Sequence, residues 1–204
     1  MGLQITQVSC GERGFVYLYR ACGPEKSHEI NHMSDNSGKT KQGSNLRLIA
    51  ECGILAALVF IGTELRIPTA LGFINLGDGV ILIASYFIGP AAFFSGAIGS
   101  ALGDLIAGYP VYIAPTFVIK GVMGLVAALI MSKSHAKNIA GFMVRLVACI
   151  LAELIMVGGY FAFEAFMYGK EAALGSVAFN FIQAGAAIVI ALPLTYAIRV
   201  KRQK

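Results

Sequence analysis

The stretch DGVILIASYFIGPAAFFSGAIGSALGDLIA, residues Asp78–Ala107, decides the fold. It is apolar almost throughout, and it is longer than the roughly 20 residues that one straight helix needs to cross the hydrocarbon core of a bilayer. Gly89-Pro90, near its centre, is a strong turn signal. The sequence therefore predicts two membrane helices joined by a tight turn, and the alternative is one broken helix.

The composition of the whole chain indicates the same class of protein. Of the 204 residues, 57% are apolar and 13% are charged, and the mean hydropathy is +0.73. Soluble domains carry about 25% charged residues, so this chain has too few to cover a water-facing surface. The alternation of apolar and polar residues that marks the strands of a membrane β-barrel is absent. The predicted fold is therefore all-α: a polytopic membrane protein with a bundle of six transmembrane helices.

The apolar segments and the basic residues together predict the topology. The six predicted spans are Leu46–Thr63, Asp78–Ile88, Ala91–Ala107, Tyr112–Met131, Asn138–Met167 and Ala172–Ile198. Basic clusters precede the first span, fill the loop after the fourth and follow the sixth. Six spans place all three clusters on one side, whereas five would split them, so the positive-inside bias predicts that both termini are cytoplasmic.

Residues 1–44 differ from the rest and are predicted to form a polar tail, followed by the membrane domain at 45–204. Met33–Ser44 is rich in Gly and Ser and is predicted to be disordered. SGKT at Ser37–Thr40 imitates a phosphate-binding loop, but Met33 occupies the position that requires Gly, which argues against nucleotide binding. A further hypothesis makes Met33 the true start, with residues 1–32 from a misassigned upstream start codon.

Polar side chains within the spans concentrate in the outer half of the membrane, whereas the inner halves of the second, third, fourth and sixth spans carry no charge. Charged groups at membrane depth are costly and face the protein interior or a water-filled cavity. The pattern predicts a ligand pocket that opens outward and is closed below by apolar packing. The candidate pocket residues are Asn75, Asp78, Asp104, Tyr109, Tyr112, Thr116, Lys120, Glu153, Asn180 and Gln183.

Asn180 and Gln183 are the first candidates among these. They are uncharged, so no ion pair explains them, and three residues apart they share one helix face. An amide also supplies both donors and an acceptor, which suits a heterocyclic ligand. The alternative for the charged candidates is structural: Lys120 pairs with Glu153, and Asp78 and Asp104 end helices at the interface.

The sequence offers no sign of catalysis. It contains no H-E-x-x-H, no G-x-S-x-G and no Cys/His cluster with zinc spacing, so we predict no catalytic residue, no metal and no cofactor. The net charge of +5 lies largely at the membrane ends of the chain, which argues against a nucleic-acid partner.

Small residues recur at four-residue spacing in the first span, as the pairs Cys52/Ala56 and Gly53/Ala57. This spacing lets helix backbones approach closely. Either internal packing or contact with another membrane protein accounts for it.

Three segments resemble a known family. They are FINLGDGVILIASYFIGP (Phe73–Pro90), GAIGSALGDLIAGYPVYIAPTFVIKG (Gly96–Gly121) and FNFIQAGAAIVIALPL (Phe179–Leu194). They are similar to the substrate-binding S component of energy-coupling factor (ECF) vitamin transporters. Within that group they resemble the riboflavin-type branch, which also holds proposed hydroxymethylpyrimidine and pyridoxine carriers. The likeness covers about residues 45–200.

The resemblance implies a subunit of the bacterial plasma membrane that has no ATPase site and is not an enzyme. It implies binding of a vitamin from outside, then docking on a transmembrane coupling subunit with two ATPases. Family members contact the coupling subunit through small residues of the first helix, often A-x-x-x-A, which Cys52/Ala56 and Gly53/Ala57 match in size. Two alternatives remain: a stand-alone facilitator or channel, and a ligand-free membrane assembly subunit.

Overall fold

The computed structural model describes residues 27–69, 72–133 and 138–197. The chain divides into two units, Met1–Ser44 and Asn45–Lys204. Helix α1 begins at Ser27 and ends at Glu64. This helix covers Met33–Ser44, and the disorder predicted for that segment stays an expectation. The remainder of the predicted tail, residues 1–26, lies outside the described residues.

The second unit consists of helices and one short β-hairpin. After α1, β1 (Arg66–Thr69) pairs antiparallel with β2 (Gly72–Asn75). A short 3-10 turn, Gly89–Ala91, separates α2 from α3. The five further helices are α2 Gly77–Ile88, α3 Ala92–Ile106, α4 Pro110–Met131, α5 Ile139–Tyr168 and α6 Lys170–Ala197.

Five apolar stretches in the described part of the chain are long enough to cross a membrane. They are Asn45–Glu64, Gly77–Ile106, Pro110–Met131, Ile139–Tyr168 and Lys170–Ala197. This confirms an all-α integral membrane protein. The second stretch joins α2, with 12 residues, to α3, with 15, and each alone is shorter than a typical span. By length alone, six spans therefore stay a prediction.

The direction of the chain reverses between α2 and α3. Gly89 has φ 63°, a left-handed conformation that glycine adopts without steric cost, and Pro90 follows it. At the start of α2, the Leu76 amide donates to the Gly62 carbonyl near the end of α1, with 2.9 Å between N and O. The end of α2, at Ile88, packs in the same cluster as Cys52 of α1. Helix α2 therefore runs antiparallel to α1.

Helix α3 runs back along α1 in the opposite direction to α2. Near its start, the Ser95 hydroxyl donates to the Cys52 carbonyl at 3.1 Å. Near its end, Gly103 lies against the Thr63 side chain. We call the end of the bundle with β1 and β2 the hairpin end, and the end with Gly89 the turn end.

Glycines allow α3 and α4 to pack at backbone distance. A Cβ atom added to Gly96 would stand 2.9 Å from the Lys120 carbonyl oxygen, and one added to Gly124 would stand 2.9 Å from the Ala92 carbonyl oxygen. These contacts are closer than real Cβ atoms make, so a side chain at either position would push the two helices apart. This packing holds Lys120 at a fixed place in the bundle.

We expect Gly96→Val to lower the free energy of unfolding by about 1–3 kcal/mol, the usual cost of overpacking a well-filled interior. The measurement is thermal unfolding of the purified protein in detergent. Gly158→Val is the matched control, because a Cβ atom at Gly158, also inside a long helix, meets nothing within 4 Å. Equal melting temperatures for the two variants would contradict the close α3–α4 contact.

The core between α2, α4, α5 and α6 contains one arginine that the sequence reasoning missed. Arg145 is fully buried, and its guanidinium carbon lies 5.1 Å from the ring centroid of Tyr86 and 5.5 Å from that of Tyr196. Cation–π contacts of this kind stabilise a buried guanidinium. Arg145 thereby joins α5 to α2 and α6. The sequence did contain a signal for Arg145, because it is a charged residue inside a long apolar run.

Candidate ligand-binding site

A polar cavity of about 180 Å³ lies at the hairpin end of the bundle. All of its lining side chains are polar, although the surrounding helices are apolar. They come from α1, β2 and the four helices α3–α6. The lining residues are Thr63, Asn75, Ser100, Asp104, Tyr112, Thr116, Lys120, Tyr160, Glu164, Asn180 and Gln183.

Asp78 joins three helices beside this cavity. Its side chain is buried, in the first turn of α2, where the helix dipole favours a negative charge. One carboxylate oxygen accepts from the ammonium of Lys120 on α4. The other accepts from the amide nitrogen of Gln183 on α6 at 2.5 Å. The carboxylate thus fixes two of the side chains that line the cavity, Lys120 and Gln183.

These contacts correct one expectation and decide between two alternatives. Lys120 forms its ion pair with Asp78, whereas the sequence suggested Glu153 as the structural partner. The Gln183 amide nitrogen donates to Asp78, so a neighbouring helix supplies one of the partners that this buried amide needs. The physical reason is the rotation of α4 and α6, which turns both side chains toward the first turn of α2. Helical spacing along one chain does not specify that rotation.

Glu153 is 2% exposed, and neither of its carboxylate oxygens has a hydrogen-bond partner in the described part of the chain. It interacts electrostatically with Asp78 and Lys120. It does not line the cavity. Glu153 is therefore a buried carboxyl group that interacts with Asp78 and Lys120 from outside the cavity lining.

Tyrosines build one wall of the cavity. The Tyr160 hydroxyl lies 2.9 Å from the Thr116 hydroxyl, and the Lys120 ammonium lies 5.4 Å from the centroid of the Tyr160 ring. The Tyr112 hydroxyl donates to Glu164 at 3.4 Å. These contacts hold the rings and the Glu164 carboxylate in place before any ligand arrives.

Ser100 supplies a hydroxyl that the described residues leave without a hydrogen-bond partner. The residue is 2% exposed and lines the cavity. A buried polar group without a partner costs about 1–3 kcal/mol. A ligand atom that reaches the buried Ser100 oxygen would remove this cost.

The cavity brings together most of the predicted pocket residues. The seven that line it are Asn75, Asp104, Tyr112, Thr116, Lys120, Asn180 and Gln183. Asp78 contacts two of them from outside the lining. Tyr109 is 54% exposed and lies off the cavity, where its ring meets that of Tyr112 edge to face at 6.4 Å.

Four lining residues are absent from the predicted set: Thr63, Ser100, Tyr160 and Glu164. Helical spacing was the available signal for one of them, because Ser100 lies four residues before the predicted Asp104. Residues four apart share one face of a helix.

An apolar groove of about 720 Å³ lies between α1 and α3. Cys52, Gly53, Ala56 and Ala57 all line it, together with Leu48, Ile49, Phe60, Ala91, Phe94, Ile98 and Leu102. Gly53 and Ala57 are exposed, and a Cβ atom on Gly53 would meet nothing within 4 Å. These two small residues therefore face out of the bundle.

Metal-ligand groups are not assembled in residues 27–69, 72–133 and 138–197, where no three His, Cys, Asp or Glu side chains lie close enough to hold an ion. Cys52 and Cys149 are free thiols. Cys10 and Cys22 lie outside the described residues.

The sequence model of the family described as "ECF-type riboflavin transporter, S component" matches residues 43–200. The chain belongs to this family. It is therefore a transport subunit of the membrane, and it is not an enzyme. Membership implies a vitamin substrate and an energy-coupling module in the same membrane. The match covers all of α2–α6 and the membrane part of α1, so it includes both the cavity and the groove.

A curated relative is also similar over much of its length. It is described as an "Uncharacterized protein in gap 3'region" of Pyrococcus woesei. The two sequences are 31% identical over 137 residues, which is 67% of this chain and 88% of the relative.

Proposed function

We propose that this S component captures a small water-soluble vitamin or vitamin precursor in the polar cavity and delivers it to an ATP-driven coupling module. The observation that carries the proposal is the cavity itself. Every residue of its lining carries a polar group, inside an apolar bundle, and the Ser100 hydroxyl lacks a partner within the described residues. Riboflavin, hydroxymethylpyrimidine and pyridoxine-like compounds are the candidate substrates.

The proposed topology has six passes, one for each of α1–α6, with the hairpin end outside. The reversal at Gly89 supports two passes in place of one broken helix, because α2 and α3 run in opposite directions along α1. Six passes also keep the basic residues near Arg47, in the α4–α5 loop and after α6 on one side. The cavity then opens to the outside, where a nutrient arrives.

Cysteine labelling in intact cells tests this topology. We expect single cysteines at Ser134 and Gln203, both outside the described residues, to react only after the membrane is permeabilised. A cysteine at Tyr109, which is 54% exposed at the hairpin end, should react from outside and serves as the control. The background protein has its four native cysteines replaced by serine. External labelling at Ser134 or Gln203 would contradict six passes.

The coupling subunit is the proposed occupant of the groove between α1 and α3. Membership in the family implies a partner in the membrane, and the groove presents small, exposed residues at four-residue spacing. Close approach of a partner helix needs such residues, since lipid tails supply no hydrophobic driving force between helices. Cys52, Gly53, Ala56 and Ala57 are accordingly the proposed docking residues.

Reconstitution tests the proposed function against a stand-alone facilitator. The protein is placed in liposomes alone, or together with a coupling subunit and two ATPases, and uptake of labelled vitamin is followed with and without ATP. We expect binding in both preparations, and uptake only with the module and ATP. Uptake by the isolated protein would show a facilitator instead.

A further inference from the structure

Three tyrosines at the hairpin end form a continuous aromatic surface. Tyr112, which lines the cavity, contacts the ring of Tyr109 edge to face, with 6.4 Å between the ring centroids. Tyr112 also stacks on the ring of Tyr168 at 6.5 Å, with 28° between the two planes. Tyr109 is 54% exposed and Tyr168 is 53% exposed, and neither lines the cavity. We call Tyr109 and Tyr168 the aromatic rim, and Tyr112 connects this rim to the cavity.

Two glycine turns hold the rim at the surface of the bundle. Gly108, with φ 79°, precedes Tyr109 between α3 and α4, and Gly169, with φ 90°, follows Tyr168 between α5 and α6. Glycine adopts a positive φ without steric cost, so the chain can reverse directly beside each tyrosine. The exposed Lys170 comes immediately after the second turn, which indicates that this end of the bundle meets water.

The chemistry of the rim indicates the kind of molecule that it binds. Aromatic rings attract other flat rings through stacked and edge-to-face contacts. Single exposed tyrosines at a membrane interface usually anchor a protein in the bilayer. Here, however, both exposed rings contact the same ring of the cavity lining. A planar molecule can therefore move from the rim into the cavity while it stays in contact with aromatic rings.

We propose that the aromatic rim is a second, outer binding site, on which a planar heterocycle stacks before it passes Tyr112 into the cavity. The inference rests on the proposed function, because it adds a step to the capture of that same ligand. It gives a role to Tyr109, which the sequence predicted as a pocket residue and which lies off the cavity. The ligand leaves the rim when it enters the cavity. The rim therefore acts on the rates of binding and release, whereas the equilibrium affinity depends on the cavity.

Stopped-flow measurement of ligand binding to the full chain in lipid nanodiscs tests this outer site. The probes are riboflavin, pyridoxine and hydroxymethylpyrimidine, and the signal is the quenching of tyrosine fluorescence. The chain contains no tryptophan that would mask this signal, and Tyr112 and Tyr160 report from the cavity lining. Every probe that binds the unmodified protein is then measured with the variants.

Tyr109→Leu combined with Tyr168→Leu removes both rings of the rim and keeps apolar side chains at the membrane interface. We expect the association and dissociation rate constants both to fall at least about fivefold, since two aromatic contacts are lost along a route that serves entrance and exit alike. The dissociation constant should stay at the parent value. Tyr109→Phe combined with Tyr168→Phe keeps both rings and should keep the parent rates. Each single leucine variant should show part of the effect, so the test does not depend on the folding of the double variant.

Phe166→Leu is the matched control. Phe166 is 86% exposed near the same end of α5, but its ring contacts no other aromatic ring among the described residues. We expect Phe166→Leu to bind and release the probe at the parent rates. If it slowed binding as much as the double leucine variant does, the rim would be a membrane anchor and the inference would be wrong.

Two further results would overturn the inference. Unchanged rates in the double leucine variant would exclude an outer site. Faster dissociation with a weaker equilibrium affinity would make the rim part of the final binding site. Both results would leave the proposed function standing, because the unmodified protein would still bind the probe. If the unmodified protein bound none of the three probes, the proposed function would be contradicted, and the inference with it.

Discussion

Replacing Asp78 with alanine is expected to lower the free energy of unfolding by about 3–5 kcal/mol, the usual cost of breaking a buried ion pair from one side. The ammonium of Lys120, which is 4% exposed, would lose its partner. The amide nitrogen of Gln183 would also lose its acceptor. Thermal unfolding of the purified variant in detergent measures the loss.

A second variant distinguishes the cost of leaving the Lys120 charge unpaired from the other effects of replacing Asp78. Asp78→Ala combined with Lys120→Met removes both charges and keeps most of the buried volume. It should be clearly more stable than Asp78→Ala alone, because replacing a buried pair with apolar groups is often neutral. If the single variant were as stable as the parent, the pair would have no structural role. Asp78 would then not be what holds Lys120 and Gln183 in place beside the cavity.

Ala57→Trp is expected to reduce ATP-dependent vitamin uptake at least about tenfold, which corresponds to 1.4 kcal/mol of docking free energy. Ala57 is exposed in the α1–α3 groove, so a bulky side chain there would block the close approach of a partner helix. Ligand binding to the isolated protein should stay unchanged, because the groove and the cavity have no lining residue in common.

Leu58→Trp is the matched control for this substitution. Leu58 is the next residue of α1 and is 46% exposed, but it does not line the groove. We expect Leu58→Trp to keep uptake near the parent level. Loss of ligand binding in Ala57→Trp, or equal loss of uptake in both variants, would show that the groove is not the docking surface.

Sequence reasoning located the helices well because a bilayer imposes a simple length rule on apolar segments. Gly89-Pro90 was sufficient to place the break between α2 and α3. The β-hairpin was not predicted, since its four-residue strands are too short to show a periodic pattern.

Much of the candidate site could also be predicted, from the depth in the membrane at which each polar residue lies. This depth brought Asn75, Asp104 and Asn180, on different elements, into one predicted pocket, and all three line the cavity. It did not identify the partner of Lys120, because that depends on how each helix is rotated about its axis. Arg145 was missed for a related reason: only tertiary packing places its guanidinium between two tyrosine rings.

The central claim is that the polar cavity holds a vitamin-like ligand, and mass spectrometry of small molecules released from gently purified protein tests it most directly. We expect one polar, vitamin-like heterocycle in near-stoichiometric amount. Asn180→Ala, within the cavity lining, should lose most of it. Asn45→Ala, at an exposed position far along α1, should retain it. Recovery of lipid and detergent alone, or equal retention of the same molecule by both variants, would contradict the account.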